Sequence, residues 1–338
     1  MKKNLITLAI VGAVMVPTLA TADVSVYGRA QVEIASVDNG TDSVITVADN
    51  SMGRIGVKAT EDLGNGLTGL AKFEMKADTT DGDVSKCSVG GAAPAGSTCK
   101  VGVSLSARES LVGLKGGFGQ IELGNLKSEY KYNGGVKYDA FVATNLEARG
   151  AGGMSKPGDA NLGHNGFITR SVGYRGKAGP VKFGLTYAPS EDDGRMSAAA
   201  KFGGKDFEAF IARVDSGDTT GAGAGYNANK LGGMYKMKGH KFMFQYEMRG
   251  SDATPEPTNM FLGYQGKFGK NTAVFQYGIE DADDGAGTEK TMITLGVIHK
   301  FSKTTRIFGG YRSSDTDDDT GTIAEDARIT VGLRKDWK

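Results

Sequence analysis

Apolar and polar side chains alternate along residues 241–249, and this period of two most constrains the fold. The apolar set is Phe242, Phe244, Tyr246 and Met248, and the polar set is Lys241, Gln245, Glu247 and Arg249. Such alternation predicts a strand with two chemically different faces. Similar runs recur along the chain and predict a large sheet. A soluble sandwich would bury the apolar face, whereas a membrane barrel would turn it towards lipid.

Composition helps to separate these two architectures. Only 39% of the 338 residues are hydrophobic, and no apolar stretch in the body of the chain approaches the roughly 20 residues of a membrane helix. Glycine is frequent, with 52 residues, while proline contributes 7, which favours strands and tight turns over disorder. The formal net charge of +1 argues against a nucleic-acid partner.

The N-terminus predicts export. Two lysines follow Met1, Leu5 to Val16 form a short apolar run, and Ala20-Thr21-Ala22 matches a small-x-small cleavage site. We interpret residues 1–22 as a cleaved signal peptide. Residues 23–338 show no linker or break in composition, and we expect them to form a single domain.

The two cysteines lie in one segment rich in glycine, alanine and serine. Cys87 and Cys99 are the only cysteines of the chain, and an exported protein with one close pair usually oxidises it. We therefore predict a disulfide that closes one loop. A metal site is not expected, because no histidine lies nearby to complete the ligand set.

Short turns and long loops alternate along the mature chain. Seven short turns rich in glycine, lysine and asparagine separate eight longer segments: about 36–50, 77–107, 126–167, 189–194, 215–229, 250–258, 281–289 and 314–326. This count predicts an all-β, antiparallel transmembrane barrel of sixteen strands, with both termini on the short-turn side. Four tyrosines share the apolar face at the loop ends of strands and are expected to form an aromatic girdle: Tyr187, Tyr246, Tyr277 and Tyr311.

Three stretches resemble the Gram-negative general porins of the neisserial and beta- and gamma-proteobacterial type. They are residues 26–32, residues 52–67 continuing into 71–74, and residues 108–115 followed by Phe118-Gly119 and Leu123-Gly124. The resemblance implies a homotrimer of water-filled barrels in the outer membrane, surrounded by lipid and lipopolysaccharide. It also implies that the third long loop, about 126–167, folds into the lumen, where Glu129, Asp139 and Glu147 supply acidic groups.

The same resemblance implies basic side chains on the barrel wall opposite that loop. Arg29, Arg54, Lys58 and Lys72 have the inward parity on the first strands. Arg108 has outward parity, which places it at the rim or beyond a bulge. Charges that face each other across a gap narrower than the roughly 8 Å screening length would create a transverse field, and the balance favours anions.

The C-terminus departs from the family pattern. Members end on an aromatic residue that the assembly machinery reads, whereas here Trp337 is followed by Lys338. Asn125 also stands where the family often has arginine. We expect Trp337 to serve as the assembly signal.

These features predict a general diffusion porin for small hydrophilic solutes and ions, without a cofactor. A substrate-specific porin remains an alternative, since specificity would depend on loop conformation. A structural or adhesive barrel is another, because acidic segments such as Asp315-Thr-Asp-Asp-Asp319 offer oxygen ligands for divalent cations. An enzyme is not expected, since the three histidines occur outside any recognisable catalytic motif.

Overall fold

A computed structural model describes residues 22–80, 105–133, 135–155, 166–189, 194–217, 225–250 and 256–338. The described strands are β1 (Asp23–Asp38), β2 (Ser43–Ala48), β3 (Arg54–Gly64), β4 (Leu67–Ala77), β5 (Leu105–Gly116), β6 (Gly119–Lys127), β7 (Phe167–Ala178), β8 (Val181–Ala188), β9 (Arg195–Gly203), β10 (Phe207–Asp215), β11 (Asn227–Met237), β12 (His240–Gly250), β13 (Thr258–Phe268), β14 (Asn271–Asp281), β15 (Glu289–Lys300), β16 (Thr305–Asp318) and β17 (Gly321–Trp337). A short helix, α1 (Glu129–Tyr132), and a 3-10 turn (Gly135–Lys137) follow β6. Within these residues, no helix is long and apolar enough to cross a membrane.

The strands form one closed antiparallel sheet. From β3 onwards each strand pairs with its neighbour in sequence, and β17 returns to β1, with Gly28 opposite Trp337. Residues 23–29 of β1 pair with β3, and residues 33–38 of β1 pair with β2. The strands β2 and β3 are therefore two parts of one strand of the barrel. The predicted sixteen-stranded antiparallel barrel is therefore confirmed.

Two local irregularities shape the wall near the start of the chain. Asn50 and Ser51 have positive φ angles of 50° and 62°. They lie between β2 and β3 and break the second strand of the barrel into these two parts. The register between β4 and β5 shifts between Phe73 and Met75. This bulge turns Arg108 inward, and its Nε lies 2.9 Å from Glu74 Oε1. Of the two positions expected for Arg108, at the rim or beyond a bulge, the structure shows the second.

The two faces of the wall differ as the alternation predicts. On β12, Phe242, Phe244 and Met248 are exposed on the outer surface, while Gln245 and Glu247 are each 1% exposed on the inner face. Apolar residues outside and polar residues inside are the arrangement of a membrane barrel. The inner face is not uniformly polar, however, because a second set of inward residues is apolar and buried: Phe210, Met243, Phe261, Met292 and Phe308.

Some predicted long loops are shorter than expected because the strands continue beyond them. The segment predicted to be a loop at 314–326 is mostly strand, since β16 reaches Asp318 and β17 begins at Gly321. The same is true of 36–50, where only 39–42 separate β1 from β2. Polar residues can extend a ladder in water, and Thr322 Oγ1 donates a hydrogen bond to Asp317 Oδ1 at 2.6 Å across this pair of strands.

Candidate functional site

The described part of the segment between β6 and β7, residues 128–133 and 135–155, lies inside the barrel. Four large side chains of this constriction loop are no more than 1% exposed: Tyr130, Tyr138, Phe141 and Leu146. They pack against the inward apolar residues of the wall, with ring centroids 5.5 Å apart for Tyr138 and Phe210 and 6.5 Å apart for Phe141 and Phe308. The apolar inner patch therefore belongs to a small core formed by loop and wall.

Polar contacts fix the same loop. Glu247 on β12 accepts hydrogen bonds from the Tyr130 hydroxyl and from the backbone N–H of Ser155. The N–H of Tyr130 donates to Ser197 Oγ at 2.8 Å. Lys290 donates from Nζ to the carbonyl oxygen of Gly150 at 3.0 Å. The loop is thus tied to β9, β12 and β15. It also reaches β1, where Gln31 Nε2 donates to the carbonyl oxygen of Ala143 at 2.8 Å and Glu33 accepts from the N–H of Asn145 at 3.1 Å.

Backbone contact between two glycines brings the loop close to β14. A Cβ atom at Gly278 would lie 2.2 Å from Cα of Gly153, so no side chain fits at this point. Nearby, Asn259 donates from Nδ2 to the carbonyl oxygen of Gly152 at 2.8 Å. The space that the loop leaves open lies beside β3–β8, on the short-turn side.

The three acidic residues predicted on the loop have mainly internal partners. Glu129 is 2% exposed and accepts a hydrogen bond from Arg175 Nε at 2.6 Å, and burial raises its pKa. Asp139 accepts from the N–H groups of Phe141 and Ala148, each at 2.8 Å; burial, with the charge of Glu147, raises its pKa to about 6. Asp139 therefore holds the loop's own conformation, whereas Glu129 ties α1 to Arg175 on β7.

Glu147 is the most exposed of the three acidic side chains, at 20%. It accepts a hydrogen bond from the N–H of Ala143 at 2.7 Å and pairs with Arg149 at 2.6 Å. Its charge is therefore balanced locally by a basic residue of the same loop.

The four predicted basic residues lie on the first strands. Arg29 and Arg54 face each other across β1 and β3, and Arg29 Nε lies 2.5 Å from Asp336 Oδ1. Arg54 lies 3.7 Å from Glu74. Lys72 pairs with Glu109 and lies 3.6 Å from Glu74. Lys58 is exposed. We call these four side chains the basic wall, and Lys58 and Lys72 line the space that the loop leaves open.

Sequence reasoning did not assign Lys131 to this wall, although it lies on α1 and faces the same region. Arg108 Cζ and Lys131 Nζ lie 5.2 Å and 5.8 Å from the centroid of the Phe167 ring. Burial, reinforced by the charges of Arg149 and Arg108, lowers the pKa of Lys131 to about 7. Lys131 lies outside the strands, where side chains do not alternate between two faces. Its orientation could therefore not be predicted from the sequence.

An open chamber separates loop and wall on the short-turn side. It has a volume of about 880 Å³, and Lys58 and Lys72 line it from the wall while Tyr132 and Asn133 line it from the loop. The chamber is thus bounded by basic strands and by the amphipathic start of the constriction loop.

The predicted girdle tyrosines lie on the outward face. Tyr187 and Tyr311 are 43% and 42% exposed, and Tyr246 and Tyr277 are half-buried among their neighbours. Sequence reasoning missed a second set of exposed aromatic residues around the short turns: Phe118, Phe202, Phe207, Tyr235, Phe268 and Phe301. Their periodic occurrence on the apolar parity next to each turn was the available signal.

Three predicted features concern the ends and one loop of the chain. Trp337 ends β17, and a Cβ atom at Gly28 would lie 2.1 Å from Cζ2 of its indole ring. Cys87 and Cys99, the predicted disulfide pair, lie outside the described residues, as does nearly all of the predicted signal peptide.

Known proteins that are similar to this chain are also membrane barrels. The family model of the Gram-negative porins matches residues 7–319. The major outer membrane protein P.IB of Neisseria meningitidis serogroup B is 35% identical over 144 residues, which cover 40% of this chain and 37% of the relative. A P.IB protein of Neisseria gonorrhoeae is 31% identical over 204 residues, or 57% of this chain and 50% of that protein.

Solved structures share the fold over nearly the full length. The anion-selective porin from Comamonas acidovorans has a TM-score of 0.74 at 20% identity and covers 94% of this chain and 100% of its own. Salmonella typhi OmpF, in a complex with daunomycin, has a TM-score of 0.70 at 16% identity, with coverage of 93% and 97%. The matched segment of P.IB spans little more than a third of that relative.

The fold and the matches define a β-barrel protein of the bacterial outer membrane. The chain belongs to the Gram-negative porin family, as its sequence motifs predict. This membership places it in the outer membrane of a Gram-negative bacterium.

Proposed function

We propose that the protein is a general diffusion porin, a passive channel for small hydrophilic solutes and ions. The observation that supports this most directly is the position of the constriction loop. It packs against β9–β16, bonds to β1 and leaves an open chamber lined by Lys58 and Lys72. A polar, water-filled bore narrowed by an inward loop passes small hydrated solutes down their gradients and excludes larger ones. The proposal involves no catalytic step and no cofactor.

We further propose that the channel prefers anions. Arg29, Arg54, Lys58 and Lys72, together with Arg108 and Lys131, line the open side, whereas the acidic groups predicted on the loop have local partners. Glu74, Glu109 and Asp336 offset part of this charge. The remaining excess is positive, and a narrow bore screens it less than an exposed surface would.

Six further features belong to the same proposal. Residues 1–22 are removed on export, and 23–338 form a single barrel domain. The barrels assemble as a homotrimer among lipid and lipopolysaccharide, with the four tyrosines at the lipid boundary and Trp337 as the assembly signal. Cys87 and Cys99 form a disulfide. The matches to porins and the outward aromatic residues support this arrangement.

Single-channel recording of the refolded protein in planar bilayers tests the proposal. We expect ohmic steps in groups of three and a reversal potential of the sign given by anion selectivity. Swelling of liposomes in sugars of increasing size would then measure the size limit. Folded protein that inserts without conductance would overturn the channel function, and lipid hydrolysis by the folded protein would support an enzyme instead.

A further inference from the structure

A second cavity lies in the lumen on the long-loop side of the constriction loop. It has a volume of about 630 Å³. The constriction loop contributes Arg149, and the strands β12, β15, β16 and β17 contribute Arg249, Lys290, Arg312 and Arg328. The five cationic side chains come from well-separated parts of the sequence, and the fold brings them around one space. We call this space the vestibule site.

The carboxylates around the vestibule site do not balance these cations. Arg149 pairs with Glu147 at 2.6 Å, and Arg249 pairs with Glu280 at 2.5 Å. Arg312 and Arg328 share a single carboxylate, Asp326, each at 2.7 Å. Lys290 donates to a neutral group, the Gly150 carbonyl oxygen. Among the described residues, these five cations contact three carboxylates. Glu33, which accepts hydrogen bonds from Asn50 and Asn145 at the edge of the cavity, adds a fourth, so the cations remain in excess.

The site also holds hydrogen-bond capacity that the protein does not use. The side chain of Arg312 is 6% exposed, and its Nε is buried without a hydrogen-bond partner in the described structure. The other two nitrogens of this guanidinium are held, by the Glu147 carbonyl oxygen at 3.1 Å and by Asp326. A buried donor without an acceptor is unfavourable, and an acceptor supplied by a ligand would relieve this cost.

We propose that the vestibule site binds a small solute with two negative charges and several acceptor oxygens, such as a phosphate monoester or a dicarboxylate. The positive excess attracts such a solute, and its several oxygens can contact more than one of the cations. Guanidinium groups hold carboxylate and phosphate oxygens in fixed, often bidentate geometry. Thr144, Thr288 and Thr316 line the same cavity and can orient hydroxyl groups of the solute.

The inference deepens the proposed channel function, on which it rests, because it assigns a preferred substrate class. The vestibule site is separate from the basic wall: its charged groups lie on β12, β14, β15, β16, β17 and the loop, whereas Arg54 and Lys72 lie on β3 and β4. A dianion captured there would be concentrated before it reaches the narrow part of the lumen. Flux of such solutes would saturate at low concentration, while flux of neutral solutes would stay proportional to the gradient.

Lys290→Gln is the most informative variant, because Lys290 has a neutral hydrogen-bond partner that glutamine can still satisfy. Lys300→Gln is the matched control, since Lys300 lies on the same strand with the same parity but at the short-turn end. Arg328→Gln provides a second test at the vestibule site. Native electrophoretic mobility and resistance to protease establish that each variant is folded.

Calorimetric titration of the folded protein in detergent measures binding without conduction. Succinate and glycerol 3-phosphate are the probes, and chloride and glycerol serve as monovalent and neutral comparisons. We expect either or both dianions to bind, with affinity falling as salt is added, and Lys290→Gln and Arg328→Gln to weaken binding about tenfold while Lys300→Gln leaves it unchanged. No binding by either dianion, or equal binding to all three variants, would overturn the inference.

Single-channel recording separates this result from the channel proposal. If both the vestibule site and the channel are as proposed, the dianions partly block the chloride current at concentrations where glycerol has no effect. Lys290→Gln should weaken this block. Normal conductance without calorimetric binding would refute the vestibule site and leave the channel intact. Calorimetric binding without conductance would refute the channel function while supporting the site.

Discussion

Glu247 accepts two hydrogen bonds from Ser155, one from the backbone N–H and one from the hydroxyl group, each 2.9 Å long. The same carboxylate accepts a hydrogen bond from the hydroxyl of Tyr130. Tyr130 lies near the start of the constriction loop and Ser155 lies 25 residues later. A single buried side chain of β12 therefore holds two distant parts of the loop.

Replacing Glu247 by alanine should release the constriction loop from the wall. The change removes these hydrogen bonds and leaves buried Lys230, whose Nζ lies 3.8 Å from the centroid of the Tyr130 ring, without its neighbouring negative charge. Breaking a buried pair in this way costs roughly 3–5 kcal/mol. We expect larger and noisier single-channel conductance, and faster proteolysis of the loop. The exposed residue Glu325, changed to glutamine, is the control and should leave both measurements unchanged.

Charge reversal at Arg54 should reduce the preference for anions. Arg54→Glu changes the local charge by two in a wall where Arg29 and Arg108 are neighbours. We expect the reversal potential under a salt gradient to move towards the cation limit. Arg213→Gln, on the outward face of β10, should have no such effect. Equal shifts for the two variants, or cation selectivity already present in the unmodified protein, would contradict the role of the basic wall.

Anion selectivity should rise as the pH falls from about 8.5 to about 5.5, because this range crosses the pKa of Lys131, about 7. A lysine is charged only when protonated, so a lowered pKa leaves Lys131 largely neutral above pH 7 and positive below it. Lys131→Gln should reduce this dependence to the part due to Asp139, whose pKa of about 6 lies in the same range. Lys58→Gln should lower selectivity at every pH while keeping the slope. A slope in Lys131→Gln equal to that of the unmodified protein would contradict the assignment.

The seam between β1 and β17 should not tolerate a side chain at position 28. Because the Trp337 ring covers Gly28, Gly28→Ala requires the indole ring to move, at a cost of about 1–3 kcal/mol. Trp337 is the single tryptophan of the chain, so its fluorescence during denaturation reports on this seam directly. Gly117→Ala, which has open space around it, is the control. Equal stability of the two variants would mean that the ring is not constrained.

Oxidation of Cys87 and Cys99 remains a prediction from the sequence. Alkylation of the exported protein should label neither cysteine before reduction and both afterwards. The double variant Cys87→Ser/Cys99→Ser provides the unlabelled reference. Labelling of the unreduced, exported protein would exclude the disulfide.

Alternation predicts the outward face of each strand because lipid demands an apolar side chain at every second position. It does not predict Met243, Phe261 and Met292, whose inward side chains are apolar because the loop covers them. Their environment is created by residues more than 80 positions away in sequence, such as Tyr130 and Tyr138. No local pattern contains that information.

Parity likewise places Arg29, Arg54, Lys58 and Lys72 on the inner face, since the first strands are regular there. The same alternation places Arg108 on the wrong face, because the bulge opposite Phe73 and Met75 adds one residue to the strand. One extra residue exchanges the inward and outward positions beyond it. The vestibule site is harder still, since its five cations come from five separate elements. The sequence therefore specifies the wall well and the interior only in part.

The position of the constriction loop also limits the order in which the protein can assemble. The pairing of β1 with β17 joins the two ends of the chain, so it requires the longest loop closure of all the strand pairs. Once β1 and β17 have paired, the barrel is closed and has no lateral opening through which Tyr130, Phe141 and Leu146 could enter the bore from the membrane. The loop reaches its place either before the last strands meet or by threading through the mouth afterwards, and the first route avoids carrying a charged, folded segment past a completed rim.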